Sequence, residues 1–373
     1  MNPIPLAEPD ITRDDIAAVT RVLESTTLAL GPEVSGFEEE IAAYVGTRHA
    51  VACNSGTSAL HLLVRALGVT PGDEVITTSF SFAASTNCLL YEGAIPAFVD
   101  IDPLTLCLDP ERVEAAVGPR TVGILAVDVF GHPAAWDLLE RIAADHRLWL
   151  IEDSAEALGS ELRGRRCGSF GDGAVFGFYP NKQITTGEGG MLVTDSPEIA
   201  ARCRSMANQG RGDGDTWLQH VRLGYNYRLD EMSAALGRSQ LRRIEAIVRA
   251  RSEVADHYGQ LLTDVAGVIP SVAARDVRVS WFVYVVRLDE SSAPGDRERI
   301  MRRLEERGVA CRPYFEPIHL QSFHRNRCVL PRDGLPVTEA VGSRTIALPF
   351  HNRLRPTQIR RVVEALAASL EGR

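Results

Sequence analysis

AVACNSGTSALHLL, residues 50–63, changes its periodicity partway along. AVAC has the small, apolar character of a short buried strand, Asn54-Ser55-Gly56 of a turn, and the residues from Thr57 onward the spacing of a helix. Backbone amides around Gly56 and Thr57 then stand at the positive end of that helix, where a phosphate is readily held. An ordinary strand-to-helix turn with a glycine and a threonine cap would use the same letters. Outward from this unit the apolar runs recur as EVITT (74–78), IPAFVD (95–100), VGILAVD (122–128), LWLIED (148–153) and AVFGF (174–178). Helical stretches separate them, and one starts clearly where Asp109 caps and Pro110 fills the first turn. This alternation predicts an α/β fold with a mostly parallel sheet flanked by helices. Right-handed crossovers gather the loops after the strands along one sheet edge, where such folds bind ligands.

Upstream, Thr12 can cap a first helix near Asp15, with Ile16, Val19, Val22 and Leu23 as its apolar face, before a loop at Leu30, Gly31 and Pro32. Past about residue 245 the pattern changes. A helix containing Leu241, Ile244 and Ile247 leads to a long alternating strand, VRVSWFVYVVRL (277–288). A charged helix near 295–307, a strand near Val309 and a last helix from Pro356 follow. The expected organisation is a large domain over 1–245 and a small α+β domain over 246–373. ANQGRGDGDT (207–216) reads as a mobile loop.

The chain has 373 residues, of which 45% are hydrophobic and 24% charged, and no apolar run approaches the roughly 20 residues of a membrane span. The start MNPIPLAEPDITRDD lacks a basic and then apolar leader, so a soluble, cytoplasmic protein is the expectation. Seven cysteines include no CxxC pair, which suits reduced, buried thiols better than disulfides or a metal site. A net charge of -9 argues against binding nucleic acid through its phosphates, although an anionic small molecule would still need a local basic patch.

Two further stretches carry chemistry. In LIEDSAEALGS (150–160), two acids end a buried strand, where a lone carboxylate is costly. Asp153 therefore needs a cationic partner, such as a protonated pyridine nitrogen, unless it simply caps a helix. In FGFYPNKQITTGEGG (176–190), Lys182 follows a strand beside Gly187, Gly189 and Gly190, which leave room for its amine to reach a cofactor. Desolvation and a neighbouring cation would lower its pKa and supply the free amine.

Taken in order, NSGTSAL, TSFSFAAS, EDSAEALGS, FGFYPNKQITTGEGG, GYNYRL and PIHLQ resemble the DegT/DnrJ/EryC1/StrS family of sugar aminotransferases over nearly the whole chain. The resemblance implies a fold type I, pyridoxal 5′-phosphate-dependent transaminase with a ping-pong mechanism. Matching positions imply that Lys182 carries the cofactor covalently, Asp153 meets its pyridine nitrogen, and Gly56 and Thr57 bind its phosphate. Phe82 would stack on the ring, unless it is core, and Asn226 would reach the phosphate of a neighbouring subunit's cofactor, unless it is a turn residue. That makes a homodimer with shared sites. Gly177 stands where many members have a phosphate-binding serine. Glu156 stands where many have glutamine, near the cofactor's phenolic oxygen. A branch of the family that dehydrates sugars has histidine in place of the lysine, so Lys182 favours transamination. The implied substrates are an amino donor, L-glutamate, and a nucleotide-linked 4-keto-6-deoxyhexose, with Arg228, Tyr314 and His319 as candidate contacts. A keto-inositol, a 3-keto sugar nucleotide, or a cofactor-binding regulator are the alternatives.

Overall fold

The computed structural model describes residues 3–212 and 219–371. Its strands are β1 (His49–Cys53), β2 (Glu74–Thr78), β3 (Ile95–Val99), β4 (Thr121–Val127), β5 (Trp149–Asp153), β6 (Glu161–Leu162), β7 (Arg165–Arg166), β8 (Gly173–Gly177), β9 (Gly190–Thr194), β10 (Val268–Ile269), β11 (Val277–Arg278), β12 (Tyr284–Leu288) and β13 (Thr345–Leu348). The α-helices are α1 (Arg13–Ser25), α2 (Pro32–Val45), α3 (Gly56–Ala66), α4 (Ala84–Tyr91), α5 (Pro110–Ala116), α6 (Trp136–His146), α7 (Pro197–Ala207), α8 (Glu231–Leu241), α9 (Ile244–Leu262), α10 (Asp296–Glu306), α11 (Pro336–Gly342) and α12 (Pro356–Leu370).

The central sheet has the order β1-β9-β8-β5-β4-β2-β3. β9 runs against both of its neighbours, while the pairs β8–β5, β5–β4, β4–β2 and β2–β3 are parallel. Every strand of the sheet except β9 therefore points the same way, as the alternating sequence implied. The turns after β1, β2, β5 and β8 all leave from one edge. β9 itself was not anticipated, because its MLVT core follows directly on the glycines of the lysine stretch. The strands are buried on both faces between helices, which is why they read as continuous apolar runs.

Three expectations need correction. The helix cap at Thr12 forms, but α1 buries Asp15, Ala18 and Val22 while Ile16 and Leu23 face outward. Asp15 takes the inner position because Thr12 and Arg243 supply its hydrogen bonds. The run 277–288 is not one strand: β11 joins β6, and β12 lies between β10 and β13. Between them Val279, Ser280, Phe282 and Val283 are buried, so the alternation of one-sided exposure is broken. The strand near Val309 is only an isolated parallel bridge to Ile4. The loop reading for 207–216 falls partly outside the described residues; within them, Asn208 bridges Asn226 and Arg211 bridges His220.

Residue 245 lies in the first turn of α9. This helix enters two cores: Ile244, Ile247 and Val248 pack with α2, β1 and β9, whereas Val254, Tyr258 and Leu262 pack with β12, β13, α10 and α12. No described helix is long and apolar enough to cross a membrane. The cysteines are free, and all but the half-buried Cys328 are buried.

Candidate active site

A cavity of about 500 Å³ opens at the shared edge of β1, β2, β5 and β8. Gly56, Thr57, Phe82, Asp153, Glu156, Gly177, Lys182 and Tyr314 all border it. Asp153 ends β5 in the middle of the sheet, and strand alternation sends Glu152 to the opposite face. There Glu152 accepts from Gly168 N, Phe170 N and the Ser154 hydroxyl, so the two adjacent acids have separate fates. Asp153 accepts from Ser85 Oγ at 2.7 Å and from its own turn at Ala155 N at 3.2 Å. Ser81 continues this hydroxyl chain, 2.9 Å from Ser85 Oγ. Burial pushes the Asp153 carboxyl up, and these hydrogen bonds and the Lys182 charge pull it down. It is not a helix cap. It is a buried acid facing a cavity, without a cation in hydrogen-bond contact among the described residues.

Lys182 sits in the turn between β8 and β9, its amide donating to Tyr179 O. Its Nζ lies 3.6 Å from Glu156 Oε1 and 3.9 Å from the centre of the Phe282 ring. The neighbouring cation expected from the sequence is replaced by two acids. Desolvation lowers the lysine pKa, and Glu156 and Asp153 oppose it. Glu156 is itself pushed up by burial, against the pull of Lys182 and of Phe130 N, which donates to Oε2 at 2.9 Å. Phe130 holds a left-handed backbone (φ 58°) to point that amide inward, and its ring stacks on Phe315.

At the N-terminus of α3, Ser55 Oγ caps Ser58 N, leaving the Gly56 and Thr57 end of the helix toward the cavity. A side chain at Gly177 would meet only Ala155 and the Lys182 stem at ordinary distances, so space exists where a hydroxyl is missing. Gly190 is different: a Cβ there would lie 2.3 Å from Ser55 O and 2.5 Å from Gly56 N. Bare backbone at Gly190 is what lets β9 support the Ser55–Gly56 turn. Phe82 is 67% exposed, so it is no core residue.

The remaining candidates lie elsewhere. His319 is a buried brace: Nδ1 meets Ser79 Oγ at 2.7 Å and Nε2 meets Glu339 at 3.2 Å, which leaves neither nitrogen for the cavity. Arg228 donates to Asn208 Oδ1, and Asn226 is exposed with its carbonyl accepting from Asn54. Neither borders the cavity. Ser81, Ser85, Tyr179, Asn181, Glu188 and Phe282 do border it and were not singled out from sequence. The serines were legible in TSFSFAAS, where positions 81 and 85 are one helical turn apart.

A buried acid, an exposed aromatic ring, a helix N-terminus and a desolvated lysine around one cavity suit a flat, phosphorylated pyridine aldehyde. Residues 9–367 match the DegT/DnrJ/EryC1/StrS aminotransferase family. The chain belongs to that family. It is similar to the GDP-perosamine synthase of Caulobacter vibrioides, with 38% identity over 97% of each chain. Among solved structures, S. venezuelae DesV matches with a TM-score of 0.92 at 36% identity, over 100% of this chain and 99% of that one. Spr1654 of Streptococcus pneumoniae, solved in its PLP form, matches with a TM-score of 0.93 at 27% identity over 98% of each. This aminotransferase thus has the fold type I architecture and is a pyridoxal 5′-phosphate-dependent transaminase.

Proposed function

We propose that this aminotransferase moves an amino group from L-glutamate to the keto group of a nucleotide-linked sugar, a 4-keto-6-deoxyhexose, in two half-reactions. The observation that carries the sugar-nucleotide reading is the near full-length likeness to a GDP-perosamine synthase. When bound, the cofactor supplies an aldehyde that accepts the amine and a ring that takes up the electrons of the broken bond. The chain's own residues do the rest. Lys182 Nζ, its pKa lowered by burial, moves the proton at the donor's α-carbon. The Asp153 carboxylate would hold a proton on the ring nitrogen, and the α3 amides would hold the phosphate. Phe82 covers one ring face. Glu156 shares a proton with the phenolic oxygen in place of the usual glutamine amide. Tyr314, Tyr179 and Asn181 line the cavity and are the candidate contacts for an incoming sugar.

The reading includes a two-fold dimer in which Asn226 of each chain completes the other's phosphate site. Ile16, Leu23, Val221 and Leu223 are exposed apolar side chains that a second copy would cover. The direct test loads the enzyme with amine from glutamate and offers a panel of keto-sugar nucleotides and keto-inositols, following loss of the pyridoxamine absorbance. Nucleotide-linked 4-keto sugars should discharge it fastest. A keto-inositol that discharges it faster would replace the substrate class. Lys182→Ala should reduce amine transfer from glutamate to background while still binding cofactor.

A further inference from the structure

Arg251, on α9, is only 3% exposed. Burying a guanidinium is costly unless its donors are satisfied, and among the described residues no carboxylate pairs with it; Asp10 acts only at a distance. Its two Nη groups go instead to four backbone carbonyls, while the buried Nε has no hydrogen-bond partner among the described residues. Nη1 reaches Trp281 O (3.2 Å) and Phe282 O (3.1 Å), and Nη2 reaches Lys182 O (3.0 Å) and Asn181 O (3.5 Å). These carbonyls belong to the two segments that meet at the reactive amine: the turn bearing Lys182, and the stretch bearing the Phe282 ring that lies against Nζ. Gln183 ties the same region from the other side, donating to Glu156 O and Ser280 O. Only a planar group with several fixed donors can hold two pairs of carbonyls at once.

We propose that Arg251 is a positioning residue for Lys182, holding the lysine turn and the Phe282 segment on one guanidinium so that Nζ stays where it can reach the cofactor's aldehyde. It touches neither the cavity nor the reacting atoms. Anchoring the lysine's own carbonyl fixes the backbone from which its side chain projects before the cofactor arrives. The proposal rests on Lys182 being the lysine to which the cofactor condenses.

The experiment compares cofactor-free native protein with Arg251→Met and Arg251→Lys by titration. Pyridoxal 5′-phosphate condenses with Nζ, forming a C=N bond and releasing water; pyridoxamine 5′-phosphate fills the same site and cannot condense. If Arg251 positions the amine, both variants should bind the aldehyde at least about tenfold more weakly. They should keep affinity for the amine form within about twofold. Equal weakening of both ligands would make Arg251 a general packing residue, and unchanged affinities would make it dispensable; either overturns the proposal. Should Arg251→Met fail to fold, Arg251→Lys decides alone, because it keeps the charge but cannot span both carbonyl pairs. Borohydride reduction and peptide mapping of the native protein separate the two readings. Label on another residue sinks the Lys182 assignment together with this proposal, whereas label on Lys182 with equal responses in the variants sinks this proposal only.

Discussion

Asp153 and Glu156 are both carboxyls raised by burial, and each makes a different prediction. A carboxyl raised in the folded protein binds its proton more tightly there than in the unfolded chain. Asp153 therefore subtracts stability as pH climbs from the ordinary carboxylate range through its folded value. Cofactor-free Asp153→Asn should melt above the native protein at neutral pH, and calorimetry should show the gap closing toward acid pH. The same change should slow amine transfer from glutamate by about 10³-fold, since it removes the anion proposed to face the ring nitrogen. Equal melting at every pH would refute the burial argument. Glu156 works on Lys182: its charge favours the ammonium form, against desolvation. Glu156→Gln should lower the lysine pKa further, so the acid limb of the rate of pyridoxal phosphate condensation should move to lower pH. Stopped-flow absorbance reads this, and a shift to higher pH would mean that Glu156 is not acting as an anion. The sequence announced these acids and the lysine because short stretches carry them. It misled at His319, whose neighbours in sequence gave no sign that Ser79, 240 residues away, would take its Nδ1.

The elements were legible where burial is uniform and obscure where it switches. Six strands stood out as unbroken apolar runs because both sheet faces are covered. The run at 277–288 looked like one alternating strand, yet its middle is buried on all sides and its ends serve two different sheets. Phe282, in that middle, was invisible as a site residue for the same reason. β9 hid behind glycines that seemed to belong to the lysine turn alone. Its first residue gives a sharp test: Gly190→Ala would place a Cβ against the Ser55 and Gly56 backbone, which cannot rotate away. Denaturant unfolding should show a loss of about 3 kcal/mol. Pyridoxamine 5′-phosphate should bind more weakly than to the native protein, because the turn proposed to hold its phosphate must move. Native stability with native affinity would mean that β1 and β9 part without consequence.

At the scale of the whole molecule, the proposed shared-site dimer has a test that needs no structure. Co-expressed Lys182→Ala and Asn226→Ala chains, each inactive alone, should regain activity in mixed dimers, where one site of two draws both residues from intact copies. Random pairing makes the expected recovery about a quarter of native activity per chain. A verified mixed dimer without activity would return Asn226 to its own chain's turn. The segment around Ile4 also sets an order of assembly. Ile4 N donates to Gly308 O, its carbonyl accepts from Ala310 N, and its side chain sits in the core formed with α10 and α12. A ribosome releases residue 4 long before residue 308 exists, so the segment around Ile4 must wait for a much later one before it finds its seat. Until then Ile4 is loose apolar chain. Pulse proteolysis of ribosome-bound chains stalled before residue 300 should cut near the start even when the central sheet is already protected.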